Sequence, residues 1–546
     1  MDDKAKAAIL NEQFCSVFTV DDPSSIPDLG DSPFADMDNI KIYTSGVIKL
    51  LRSLKPHKAS GPDEIDTIFL KETAEELAPG LSLVFQASIN QGQIPDDWRA
   101  ANVVPLFKKG DRSKACNYRP ISLTSVCCKI LEHIIHSNIM KHLDNFTILS
   151  DYQHGFRKQR SCESQLLITI NEIAQTLDQG GQVDAVLLDF SKAFDKVSHP
   201  KLLQKLEHYG VRGSTLAWIG DFLHDRSQRV LVHGQSSASS AVTSGVPQGT
   251  VLGPLLFSVY INDLPLCVDS TPRLFADDCI LYRNINTVED CQQLQKDLDN
   301  LQVWERLWSM EFNALKCEVI RITNRKSRTI HADYFIHNQQ LAQVDSTKYL
   351  GVNISRNLSW KRHIDITCKK ANRTLAFLQR NIRSCPREIK TRCYQTYVRP
   401  IVEYAAIVWS PYTKCDVARL EAVQRRAARF VTGQYQRTVS VTGLLHQLQW
   451  QSLADRRLQA RAAMLYRIVN RQVAIPLSLF TALPGRSATR GAATKFMVPR
   501  SRTCAYKATF VPSIIPVWNR LPQEVVSSPS IEAFRSKIAS MCLSAP

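Results

Sequence analysis

The chain has no CxxC pair among its fifteen cysteines; the closest two, Cys127 and Cys128, are adjacent. Zinc-type spacing is therefore absent, and an odd, scattered thiol set suits a reducing compartment better than a disulfide framework. There is no run of about eighteen apolar residues, which argues against a membrane-spanning helix. The start, MDDKAKAAIL, is acidic with alternating charge and is no signal peptide. Internal repeats and long low-complexity tracts are missing too. Acid is scarce at one end only. Residues 361–546 hold 31 Lys and Arg against 8 Asp and Glu, a net +23, whereas residues 1–360 carry 37 against 43. The overall +17 thus resides in the C-terminal third. Either that third has an ordinary solvated Arg-rich surface, or it is a basic module that tracks a phosphate backbone.

What is present points to folded structure. An apolar fraction of 44% over 546 residues, with eight Trp, is enough for two to four domains. Residues 20–40, rich in Asp, Pro and Ser, read as a loop or linker after a short N-terminal segment. Helical and strand-like patterns then alternate to about residue 360, and a mostly helical pattern runs to about 480. Within it, ARLEAVQRRAARFV puts Leu420, Val423, Ala427 and Phe430 on one side, with Arg419, Arg425, Arg426 and Arg429 largely outside it. The tail from 481 has several Pro (Pro499, Pro512, Pro516, Pro522) and reads as less regular.

Three local patterns carry candidate chemistry. VDAVLLDF (183–190) is a short apolar run with an acid near its end, as in a buried strand whose tip enters a site. RLFADDCILYR (273–283) reads as a hairpin that presents two acids at its bend. TVEDCQQLQKDLDNLQVWERLW begins a helix with Thr287 and Asp290 in capping-box-like spacing. Of the four Asp-Asp pairs, only 277–278 is embedded in apolar sequence, and Asp189 has the same setting. Acids so flanked need a metal or a partner to offset their desolvation. From the residues alone, a Mg²⁺ site and a structural ion-pair site both remain open.

The order of motifs resembles the reverse transcriptase family, in its LINE-type (non-long-terminal-repeat) branch. The stretches are LKPHKASGPDEI (54–65), VVPLFKKGD (103–111), NYRPISL (117–123), QHGFRKQRSCESQL (153–166), LLDFSKAFDKV (187–197), SGVPQGTVLGP (244–254), FADD (275–278), NALKC (313–317) and KYLGV (348–352). The likeness covers roughly residues 40–360.

The resemblance implies an α+β right-hand polymerase: fingers and palm over 41–360, with an antiparallel palm sheet, a helical basic thumb-like region over 361–480, and a tail over 481–546. It implies that Asp189, Asp277 and Asp278 bind two Mg²⁺ ions, with Mn²⁺ as an alternative, and that Lys316 acts near the leaving pyrophosphate. Lys108, Lys109 and Arg119 match cations that hold the triphosphate, and which of the two lysines makes the contact is open. Phe194, five residues after Asp189, matches the position that meets the sugar and excludes a 2′-hydroxyl. That choice favours DNA synthesis over the RNA synthesis of related polymerases, which commonly carry Gly where this chain has Ala276.

Gln248 and Gly249 match the nucleotide-binding loop. Gln153, Gly155, Phe156 and Arg157 match a template-holding segment, and Tyr349, Leu350 and Gly351 match the pair of strands that seats the primer end. Asp195 reads as a capping or pairing residue. The implied partners are an RNA template, a DNA primer and dNTPs, with no membrane, in an intracellular ribonucleoprotein with the element's RNA. Fewer than about fifty residues precede the motifs, too few for an upstream endonuclease. No acidic cluster of an RNase H and no CCHC knuckle follows, so we expect a truncated element or an incomplete reading frame. The alternative is a polymerase-shaped nucleic-acid-binding protein without catalysis.

Overall fold

The computed structural model describes residues 2–19, 26–325, 327–483, 495–541 and 543. Its strands, in chain order, are β1 Ala100–Phe107, β2 Tyr118–Leu123, β3 Gln182–Asp189, β4 Arg226–Val232, β5 Gln235–Ser236, β6 Ser240–Val242, β7 Thr271–Phe275, β8 Asp278–Asn284 and β9 Glu318–Thr323. The last five are β10 Phe335–Ile336, β11 Gln339–Gln340, β12 Ala342–Gln343, β13 Ser346–Tyr349 and β14 Val352–Ser355. The chain passes back and forth between two compact units. One comprises Met1–Phe156, Asp189–Asp269 and Lys296–Ala314; the other comprises Arg157–Leu188, Ser270–Gln295 and Leu315–Pro546.

The first unit holds a mixed sheet in the order β2-β1-β4-β5, with β6 beside β4. β1 runs antiparallel to β2 and parallel to β4. A helix over Asp3–Cys15, begun by Asp2 accepting the Ala5 N–H at 2.7 Å, packs Ala7, Leu10 and Phe14 against Val103 and Val230. The sequence reading did not anticipate this helix, because only those three apolar side chains mark its inner face. Residues 26–43 contain no helix or strand, in keeping with their Asp, Pro and Ser content; residues 20–25 of that expected linker lie outside the described residues.

The second unit is built on the sheet β12-β9-β3-β8-β7. β3 is antiparallel to β9, and β7 and β8 form an antiparallel hairpin. Val183, Ala185 and Val186 of β3 are fully buried, as the continuous apolar run predicts for a strand covered on both faces. The helix Cys162–Asp178 opens with a capping box between Ser161 and Ser164. It packs Leu166, Ile170 and Leu177 into one core with Ile280 and Tyr282 of β8 and Ile320 and Ile322 of β9. Asp290 accepts the Asn286 and Thr287 N–H groups at 2.9 and 3.1 Å, so the expected start of the helix Val288–Trp308 is satisfied by its own carboxylate.

The C-terminal part is helical as expected, with long helices over Lys361–Asn381, Lys414–Thr432 and Leu453–Val469. Leu420, Val423, Ala427 and Phe430 are buried, while Arg425 and Arg426 are exposed. The tail is more regular than its prolines suggested. Helices cover Phe510–Arg520 and Ile531–Ala539, and Ile514, Ile515, Trp518 and Phe534 join the core of the unit. Pro512 stands in the first turn, where an N–H has no helical acceptor, so it does not stop the helix. Burial of the apolar face outweighs the interior Pro516. The architecture is therefore mixed α/β, with antiparallel and mixed sheets and many helices. Among the described residues no helix is long and apolar enough to cross a membrane.

Candidate active site

In the first unit, the loop Ser244–Leu252 is folded around Phe194 and Asp195. Gly245 N–H donates to the Val197 carbonyl and Val246 N–H to the Phe194 carbonyl, both at 2.8 Å. Gly245 has φ +86°, and a Cβ there would stand 2.7 Å from the carbonyl oxygens of Phe194 and Asp195, so only glycine fits. The Gln248 side-chain amide donates to Asp195 Oδ1 at 2.9 Å, and the Ser244 hydroxyl donates to the Asp195 carbonyl at 2.8 Å. Burial pushes the Asp195 carboxyl above its ordinary pKa, against the pull of Gln248, Lys192 and Arg119. Asp195 is thus a pairing residue, as expected, and its partner is Gln248 of the loop Ser244–Leu252.

The same loop is fixed at two further points. Ser122 N–H of β2 donates to the Gln248 carbonyl at 2.7 Å, and a Cβ on Gly249 would come within 2.5 Å of the Ser122 carbonyl oxygen. Beyond it, Val251 and Leu252 N–H donate to Glu132 Oε2 at 2.6 and 3.0 Å. Glu132 sits in the helix Val126–Asn145 with no exposed surface, and burial raises its pKa while those two N–H groups pull it down. Sequence reasoning missed Glu132, although a lone acid within CCKILEHII was a legible signal.

Phe194 is partly buried and stacks on Phe257, with ring centroids 4.4 Å apart and planes 21° from parallel. Phe156 meets it edge-on at 6.3 Å and is itself 55% exposed, with φ +57°. Gln153 is buried and its Oε1 accepts the Gly155 N–H at 2.7 Å, which shapes the turn that projects Phe156. Arg119 lies exposed on β2 opposite Leu106 of β1. Lys108 and Lys109 are exposed where the chain leaves β1, and Lys108 N–H closes the hairpin loop on the Asn117 carbonyl at 2.9 Å.

In the second unit, Phe275 of β7 pairs with Asp278 of β8, leaving Ala276 and Asp277 as the turn. Ala276 takes the left-handed conformation, φ +55°, and both aspartates are exposed, while Leu274, Cys279 and Ile280 beside them are buried. β8 neighbours β3, and Ile285 N–H, just past the end of β8, donates to the carbonyl of Gln182, the first residue of β3, at 2.8 Å. The two strands therefore run in opposite directions. β8 begins at Asp278, and β3 ends at Asp189, the residue at which the chain passes to the first unit.

Lys316 is exposed in the turn that precedes β9. Tyr349 and Val352 close the β13–β14 hairpin, with Leu350 and Gly351 as its turn. The Tyr349 ring is buried and its hydroxyl accepts from Gln165 Nε2 at 3.0 Å; Tyr404 donates to the Leu350 carbonyl at 2.9 Å. The exposed part of this motif is thus backbone rather than the tyrosine ring. Arg157 is partly buried at the start of the unit.

All three candidate metal ligands are carboxylates, a hard oxygen donor set that fits Mg²⁺ rather than zinc. Among the described residues, no three His, Cys, Asp or Glu side chains are gathered as a preformed metal cluster. The donor chemistry fits, then, without a closed ligand set.

The reverse transcriptase (RNA-dependent DNA polymerase) family profile matches residues 107–354, which hold every candidate site residue named above. The chain is similar to the RNA-directed DNA polymerase from mobile element jockey of Drosophila melanogaster, 27% identical over 74% of this chain and 45% of the relative. A second relative, the probable RNA-directed DNA polymerase from transposon BS of the same fly, is 29% identical over 72% of this chain and 44% of its own length. The Pol polyprotein from the type-1 retrotransposable element R2 of Popillia japonica is 27% identical over 43% of this chain and 34% of its own. These relatives are proteins of mobile elements, and the chain spans less than half of their length.

Proposed function

We propose that this chain is an RNA-directed DNA polymerase of a LINE-type retrotransposon, adding dNMP units from dNTPs to a DNA primer 3′-end on an RNA template. The observation that carries the reading is the β7–β8 turn, which exposes Asp277 and Asp278 beside buried strand residues inside the segment that the reverse transcriptase profile matches. Asp189, Asp277 and Asp278 would hold the divalent cations. When bound, such cations activate a primer 3′-hydroxyl and offset charge on the leaving pyrophosphate.

The chain's own residues divide the remaining work. Phe194, backed by Phe257, offers a rigid apolar face to the sugar of the incoming nucleotide, where a 2′-hydroxyl would find neither space nor a hydrogen-bond partner. The Gln248–Gly249 backbone, tied to Ser122 and followed by Val251 and Leu252 held on Glu132, lines the nucleotide's approach. Lys108, Lys109 and Arg119 bind the triphosphate oxygens, Arg119 by a bidentate fork and the lysines as point charges. Lys316 supplies positive charge, or a proton, to the departing pyrophosphate. Gln153, Gly155, Phe156 and Arg157 hold template, and the Tyr349–Gly351 turn seats the primer end.

In this reading the right-hand division is fingers and palm over 41–360, a thumb-like region over 361–480 and a tail beyond it. The basic C-terminal third holds nucleic acid by its backbone charge, in an intracellular ribonucleoprotein with the element's RNA. The testing experiment is primer extension on an RNA template with Mg²⁺ and dNTPs. Extension dependent on template, metal and Asp277 upholds the reading. Tight primer–template binding without extension would instead make the chain a nucleic-acid-binding protein of polymerase shape.

A further inference from the structure

The C-terminal part of the second unit encloses a cavity of about 240 Å³, lined by four arginines (Arg456, Arg457, Arg467 and Arg535) and two glutamates (Glu163 and Glu403). The two acids do not balance the four cations. Glu403 is already taken by Arg456, which donates to it through both Nε and Nη2, and Arg399 approaches it at 3.8 Å. Glu163 is turned partly toward Arg467 and the Ala405 N–H.

Arg457 is the unusual member. It is only 4% exposed, its Nη1 is buried with no hydrogen-bond partner, and among the described residues it makes no ion pair. Glu421, Glu403 and Asp455 offset its charge from a distance, but burial outweighs them and the Nη1 donor is costly to leave without an acceptor from outside.

We infer that this cavity is a phosphate-binding site, in which Arg457, Arg467 and Arg535 receive the oxygens of a phosphate group belonging to a bound nucleic-acid strand. Guanidinium forks match phosphate oxygens in geometry and charge. The volume is below the roughly 300–1,000 Å³ of pockets for whole small-molecule ligands, which suits one phosphate with part of its sugar. Ala460, Ala463 and Met464 supply an apolar wall for that sugar. The surrounding net +23 of residues 361–546 favours a strand over a free ion, because it draws a polyanion along its length. The proposal rests on the reading that the basic C-terminal third holds nucleic acid but not on catalysis, so failure of primer extension and failure of this site are read separately.

The test uses the full chain. Inorganic phosphate is titrated against chloride at constant ionic strength while the unfolding midpoint is followed, and the affinity for an RNA–DNA primer–template is measured by anisotropy. The double variant Arg467→Ala/Arg535→Ala removes the more accessible cations; Arg457→Lys keeps the charge but loses the fork. Lys4→Ala, exposed on the helix Asp3–Cys15 and outside the basic third, is the control. Strand affinity should fall about tenfold in the double variant, the loss expected for charge-assisted hydrogen bonds, and stay unchanged in the control. Arg457→Lys should weaken binding while leaving the midpoint near wild type. If the variants lose only a phosphate-specific rise in the midpoint, the site takes free phosphate and the strand assignment is wrong. If both strand affinity and phosphate response match wild type, the arginines are structural and the proposal is overturned.

Discussion

The Gln248 side chain donates to the carboxylate of Asp195 at 2.9 Å, so a residue expected to meet the nucleotide is held by an acid expected only to pair. Replacing Gln248 with Ala leaves the Asp195 carboxylate with one donor fewer, at a cost of about 1–3 kcal/mol. We predict a lower unfolding midpoint, together with a dNTP KM that rises more than the primer–template Kd. A Gln248→Ala protein with unchanged stability and unchanged KM would show that this bond positions nothing.

Glu132 acts on the same loop from behind. Glu132→Ala strands two backbone N–H groups, those of Val251 and Leu252, away from their acceptor. The expected loss is about 1.5–3 kcal/mol of stability, with Glu132→Gln, which keeps one acceptor oxygen, losing less. Urea unfolding of the two variants checks the order, and equal losses would assign the effect to packing alone.

If Phe194 faces the incoming sugar, Phe194→Val opens space beside it, and it also deletes the stack on Phe257. We predict that kcat/KM for rNTPs rises relative to dNTPs, by on the order of 10²-fold if a direct clash is removed. The lost ring contacts cost about 1–3 kcal/mol, so the comparison is made on folded protein. A fixed rNTP-to-dNTP ratio with both rates reduced would make Phe194 a packing residue.

The second unit also carries a pH dependence. His363 is buried against Trp409 and its Nδ1 accepts the Asn353 N–H at 3.1 Å, so the ring is held neutral. Burial lowers its pKa from 6.5 to about 4. A group whose proton is excluded in the folded state contributes its stability above the unfolded pKa and loses it as pH falls toward the folded one. Between pH 7.5 and pH 5 this one group should cost about 2 kcal/mol, measured as a fall in urea unfolding free energy that His363→Gln reduces. A wild-type protein and a His363→Gln variant with the same pH slope would contradict the assignment.

Much of the site was legible because its chemistry is carried by local patterns. The run VDAVLLDF reads as a strand because burial on both faces demands continuous apolar residues, and Asp189 then falls at its tip. FADD reads as a turn between apolar arms, and Ala276 in the left-handed conformation makes that turn. What could not be read are relations across sequence distance. Glu132 stands out locally as a lone acid in an apolar run, but its partner Val251 lies 119 residues away and no local pattern pairs the two. Tyr349 illustrates a second limit: motif position does not give side-chain direction, and its ring turns into the core toward Gln165. The tail was underread because prolines count locally as breakers, whereas the apolar face of Phe510–Arg520 gains more from burial than Pro516 costs.

The most direct test of the central claim is RNA-templated primer extension by Asp277→Asn and Asp278→Asn beside the wild-type chain, with primer–template affinity measured on the same preparations. In the proposed reading each substitution removes a carboxylate that the transition state needs more than the ground state does. Wild-type protein should extend the primer with dNTPs and Mg²⁺, and both variants should bind primer–template nearly as well while extending it at least about 10³-fold more slowly. Near wild-type extension by either variant would contradict the account.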